Sequence, residues 1–149
     1  MTYSTTNAQS GRGTTLSVGA SPVLIGEIRS LTQSGNTWET SDVTNFQSGF
    51  TKEFISTILD SGEFDVTCNR VSSDAGQQAL EAAFEGASAG VLQQFTLQLL
   101  KSGTQTTTGD SFAFKALVQS SNIQIEPTKE ITTTVKLKVS GAKTFTIGS

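Results

Sequence analysis

With 149 residues, 35% of them hydrophobic and 15% charged, the chain is long and apolar enough for one domain with a real core. Its net charge of −3 and ten scattered basic residues argue against a protein that grips nucleic acid through its phosphates. Histidine is absent and Cys68 is the single cysteine, which excludes internal disulfides, multi-cysteine metal sites and histidine-based acid–base chemistry.

Residues 1–13 are polar, rich in Gly, Ser and Thr, and without periodicity. They read as a flexible N-terminal arm, either a free tail or a segment that orders on a partner. The opening residues lack the basic start and apolar core of a signal peptide, and no apolar run approaches a membrane span, so synthesis and retention in a cytoplasm are expected. From Thr14 the pattern turns strand-like. "TLSVG" sets Leu16 and Val18 on one face, and "VLIGEIRSL" is expected to direct Leu24 and Ile28 inward with Glu27 outward.

The polar stretch 32–49, "TQSGNTWETSDVTNFQSG", reads as a long loop. Trp38 and Phe46 within it are either anchors folded back on the domain or contacts for a partner, since aromatic residues are enriched at interface hot spots. Phe50–Asp60 reads as extended chain or a single turn. "GEFDVTCNRV" is a clear strand, with Phe64, Val66 and Cys68 on its inner face and Glu63 and Asp65 on the other. Cys68 is expected to be a buried, inert thiol.

Asp74 is a good helix N-cap with Gln77 in the capping-box position. The helix that follows carries an apolar stripe of Ala79, Leu80, Ala83 and Phe84. Gln77, Gln78, Glu81 and Glu85 fall on its wet side, and Gly86 stops it. The last third is strand: Phe95, Leu97 and Leu99; Phe112, Phe114, Ala116 and Val118; a short "NIQIE"; then Ile131, Thr133, Val135, Leu137 and Val139 inward, with "KTFTIG" closing. The total is seven or eight strands and one helix, a mainly β sandwich or partial barrel.

Catalytic chemistry is hard to place on this chain. "GRG" at Gly11 follows no strand, so it is a poor phosphate loop. "GASAG" at Gly86–Gly90 follows a helix, where a nucleophile elbow needs a strand, and no histidine exists to complete a triad. Asp60, Glu63 and Asp65 could form a carboxylate pair or hold a hard cation, but a solvated strand face explains them more simply. No catalytic, metal or cofactor site is expected.

One longer pattern is more specific. "KEFISTILDSGEFDVTCNRVSSDAGQQALEAAFEGAS", Lys52–Ser88, resembles the central segment of siphophage major tail tube proteins. The family's Lys-Glu-aromatic-Ile start corresponds to Lys52–Ile55, its Asp and Gly-Glu pair to Asp60 and Gly62–Glu63, and its Asn, Asp and helix to Asn69, Asp74 and Ala75–Phe84. "TVKLKVSGAKTFT" is similar to the family's closing strand, Ser/Thr-Gly turn and final strand, and "VLIGEIRSLTQSG" to the strand entering its long loop. Ser56–Thr57 departs from the Pro-Gly of many relatives.

The resemblance implies a tail tube β-sandwich domain over 14–149 with a flanking helix, in a fold shared with the tube of type VI secretion systems. It implies hexameric rings stacking into a hollow conduit of a long non-contractile tail in the virion. The tail tip or initiator and the terminator would be partners, and tape-measure protein and DNA would pass through the lumen without specific binding. Trp38, Phe46 and Phe50 become candidate contacts between subunits, and Glu27, Glu63 and Asp65 candidate acidic residues of the lumen wall. A contractile-tail or secretion-system tube is the nearest alternative. A carbohydrate-binding or immunoglobulin-like module stacking sugars on Trp38 is a further one.

Overall fold

The structure, a computed structural model, describes residues 8–149. Seven strands and one helix follow in the order β1 (Thr15–Val18), β2 (Val23–Leu24), β3 (Ile28–Asp42), β4 (Phe54–Asn69), α1 (Ala75–Glu85), β5 (Gln93–Gln98), β6 (Ser111–Gln124) and β7 (Thr132–Thr146). All strand pairs are antiparallel, in one sheet of order β2-β1-β5-β6-β7-β4-β3. The sheet curls without closing. The start of β1, Thr14–Leu16, which β2 leaves uncovered, and the start of the edge strand β3, Ile28–Leu31, line a shared cleft of about 400 Å³ together with Leu97 and Leu99.

The core follows from strict alternation along the strands. Leu16 and Val18, Phe64 and Val66, Phe95 and Leu97, Phe114, Ala116 and Val118, and Val135, Leu137 and Val139 are all buried on the concave face. Phe114 stacks on Phe64 at 4.7 Å and on Phe95 at 5.6 Å between ring centroids, tying three strands of the sheet together. Helix α1 covers this face through Leu80 and Ala83, with Ala79 and Phe84 packed at the margin. Gly76 lets its first turn lie on the backbone of Leu24–Ile25, because a Cβ there would meet the Leu24 carbonyl oxygen at 2.2 Å.

Several expectations need correction. The presumed loop 32–49 is strand up to Asp42; only 43–53 is a connection. Gln77 is not on the wet side but buried, at 8% exposure. Its Nε2 donates to the carbonyls of Gly26 (3.0 Å) and Asn69 (2.8 Å), and its Oε1 accepts from the Val71 N–H (3.0 Å). The N-cap is as expected, with Asp74 Oδ2 accepting from the Gln77 N–H, and the same oxygen also takes the Gly26 N–H.

Leu24 is exposed and Ile25 takes its place inside. The alternation is broken just beyond, where Glu27 adopts a left-handed φ of 52° and β3 carries a bulge after Ile28. Ile131 precedes β7 and is exposed. "NIQIE" does not form a separate strand; β6 runs through it to Gln124. "KTFTIG" likewise continues β7 through a bulge at Gly141, where φ is +81°. Of the presumed arm, residues 1–7 lie outside the described residues. Gln9 donates to the Leu100 carbonyl, and Gly13 abuts the Leu100 side chain.

Candidate assembly surfaces

The most conspicuous surface is a two-stranded ribbon. β4 pairs with β7 only over Glu63–Asn69, whereas it pairs with β3 as far as Phe54. Phe54–Asp60 and Thr37–Asp42 therefore leave the sheet together, a projection of roughly 20 Å at about 3.3 Å per residue. The departure point is Gly62, with φ +74°, where a Cβ would meet the Ser34 carbonyl oxygen at 2.1 Å. No other side chain fits there.

A two-stranded ribbon without a core is marginal in water, and this one leaves large apolar side chains in solvent. Trp38 at 55% exposure stands directly across from Leu59, and Phe54, Ile55 and Ile58 are also exposed. The tip is held by side chains rather than by core contacts. The Thr44 N–H donates to Asp42 Oδ1 (2.9 Å), the Glu53 N–H to Thr44 Oγ1 (2.9 Å), and the Asn45 N–H to Ser48 Oγ (3.0 Å). Ser48 Oγ in turn donates to Glu53 Oε2 (2.8 Å). Hydrogen bonds from the Thr44 side chain and N–H hold the Asp42 carboxyl below its usual range. This polar staple explains the loop-like sequence, and it presents Phe46 and Phe50 fully to solvent.

Trp38, Phe46 and Phe50 thus occur on one projecting element, and none folds back on the domain. Sequence reasoning missed Val43, Phe54, Ile55, Ile58 and Leu59 as members of the same surface. The signal for Phe54–Leu59 was an apolar, β-branched run that has helical spacing but is too short for a helix; Val43 stands alone in a polar stretch.

The convex face of the sheet is polar. Glu63 stands across from Lys138, and Asp65 from Lys136. Glu63 Oε1 lies 3.7 Å from Lys136 Nζ, and Asp60 Oδ1 3.9 Å from Lys138 Nζ. Lys115 is on the same face, two residues from Leu117, which stands across from Lys138. Glu27 lies at the end of this row. Its Oε1 accepts from Nδ2 of Asn69 (3.4 Å), the residue that continues the Glu63–Asp65–Thr67 alternation. The three carboxylates singled out from sequence therefore lie along one strip, but the lysines of β7 neutralise its middle.

Cys68 is buried and burial pushes its thiol up, which keeps it protonated and unreactive. Among the described residues no three Cys, Asp or Glu side chains converge as a metal would require, and no helix is long and apolar enough to cross a membrane.

No family model and no curated protein matches the chain. Solved structures do. A chain of the anti-feeding prophage baseplate, solved with six-fold symmetry, superposes with a TM-score of 0.72 at 12% identity, covering 97% of this chain and 98% of that one. The SPP1 tail tube gives 0.66 at 15% identity, covering 91% and 77%. The sheath–tube complex of an extracellular contractile injection system, PVC, gives 0.66 at 9%, covering 90% and 88%. Across nearly its whole length the chain has the fold of tail tube proteins.

Proposed function

We propose that the chain is the subunit of a hollow tail tube, a structural component of a virion tail or a related particle, whose work is assembly and passive conduction rather than catalysis. The observation that carries this reading is the projecting ribbon. Five apolar side chains of its strands and three near its tip are left to water in the single chain, an arrangement that only another molecule can cover. The shared fold with the SPP1 tail tube makes further copies of this chain the natural cover.

In this reading six copies close a ring, so that sheet edges meet edges and none is left exposed. Rings stack, with Trp38, Phe46 and Phe50 seated on a neighbour. The polar strip of Glu63 and Asp65, with Glu27 at its end, faces the lumen through which tape-measure protein and DNA pass, and tip and terminator proteins cap the ends. A long non-contractile tail remains our first choice. The likeness to the PVC sheath–tube complex supports a contractile alternative equally well, and co-sedimentation with a sheath protein would decide for it. Negative-stain microscopy of the purified chain over a concentration series, with tail-tip complexes added as seeds, tests the proposal. Hollow tubes or six-fold rings are expected. Single chains at every concentration, seeded or not, would overturn it.

A further inference from the structure

The polar face is organised more specifically than a merely acidic wall. The chain as a whole carries 13 acidic and ten basic residues. At the middle of this strip, however, Asp60, Glu63 and Asp65 stand against Lys115, Lys136 and Lys138, three against three, with Glu27 at its end. Strand register places all of them but Asp60, which sits at the root of the ribbon: Glu63 opposite Lys138, Asp65 opposite Lys136, and Lys115 one alternation along β6 from the residue facing Lys138. Lys136 reaches Glu63 at 3.7 Å and Lys138 reaches Asp60 at 3.9 Å, while Lys115 has no ion-pair partner among the described residues. The neighbours Thr32, Ser34, Thr67, Thr134 and Ser140 are neutral.

Exposed pairs of this kind contribute little to stability, so their effect is to be sought in what the lysines would otherwise do. Three lysines on adjacent strands are a phosphate-binding strip, since binding follows the number of phosphates neutralised. Carboxylates held at 3.7 to 3.9 Å from two of them compete for the same ammonium groups. We propose that Asp60, Glu63 and Asp65 are built-in competitors that keep the Lys115–Lys136–Lys138 strip from retaining the phosphate backbone of duplex DNA. A strip without lysines would repel the polyanion, and one without carboxylates would hold it. The balanced strip lets it slide. The role in conduction rests on the tube reading; the latent affinity itself does not.

The test uses full-length chains, dilute enough to sediment as single subunits, and a short fluorescent DNA duplex at low salt. The parent chain should bind weakly. The D60N/E63Q/D65N variant should bind at least about tenfold more tightly, with affinity falling as roughly the −2.7 power of salt concentration if all three lysines engage phosphate. Adding K115A/K136A/K138A should return binding to the parent level. No gain in a folded triple variant, or a gain that survives removal of the lysines, overturns the inference. If the triple variant does not fold, E63Q and D65N singly must each tighten binding, and failure of either overturns the inference. Tubes play no part in the assay, so failure here leaves the tube reading standing, and absence of tubes leaves this result standing.

Discussion

Replacing Phe46 and Phe50 together with serine separates assembly from folding. Both rings are fully exposed and touch no core residue, and the tip is held by Asp42, Thr44, Asn45, Ser48 and Glu53 instead. Stability of the subunit should therefore change by less than about 0.5 kcal/mol, as for surface substitutions away from special features. Seating each phenylalanine in a neighbour would contribute about 1.5–3 kcal/mol, so a subunit of the double variant loses roughly 3–6 kcal/mol of assembly free energy. At 1.4 kcal/mol per factor of ten, the concentration needed for tubes should rise by about two to four orders of magnitude. Pelleting of tubes across a concentration series, with urea unfolding of the single chain beside it, reads both quantities. Tubes forming at the parental concentration would refute the reasoning, as would a marked loss of subunit stability.

Other substitutions test the fold that presents these surfaces. Gln77→Leu strands the Gly26 and Asn69 carbonyls and the Val71 N–H. It should cost about 3 kcal/mol, a fall in Tm of roughly 6–12 °C, whereas Gln78→Leu on the exposed side should cost little. Gly62→Ala meets the Ser34 carbonyl at 2.1 Å in a left-handed conformation and should lower urea stability by more than about 1 kcal/mol. Cys68 should resist alkylation in the folded chain and react on unfolding. Because burial raises its folded pKa, the stability it contributes is fully present below the unfolded thiol's pKa and is lost as pH rises through the folded value. A Cys68→Ala variant should lack that alkaline loss in a pH series of urea titrations.

The core and the helix could be read from sequence because both obey a rule the chain satisfies by itself. Phe64, Val66 and Cys68, or Val135, Leu137 and Val139, alternate because one face meets the core and the other meets water. Asp74 and the Leu80–Ala83 stripe announce a helix that must cover something. The ribbon has no such internal reference. Thr32–Asp42 is polar because β3 is an edge strand beyond the core, so its alternation is lost and the segment resembles a loop. Its partner, Phe54–Asp60, is apolar on both faces for the complementary reason, since neither face is covered within the chain. Gln77 was misplaced because helical periodicity does not foresee a buried amide that satisfies three backbone groups of other elements. Leu24 and Ile25 exchanged roles because the left-handed Glu27 interrupts the strand. The pairing of Glu63 and Asp65 with Lys136 and Lys138 depends on the register of β4 against β7, which spacing along the chain cannot supply.

Cryo-electron microscopy of the assembled material tests the central claim most directly. The account predicts hollow tubes of six-fold rings, the 43–53 tip of each ribbon seated on a neighbouring subunit, and Glu63 and Lys136 facing the lumen. Solid filaments, a ring of another order, or ribbons left free in solvent would contradict it.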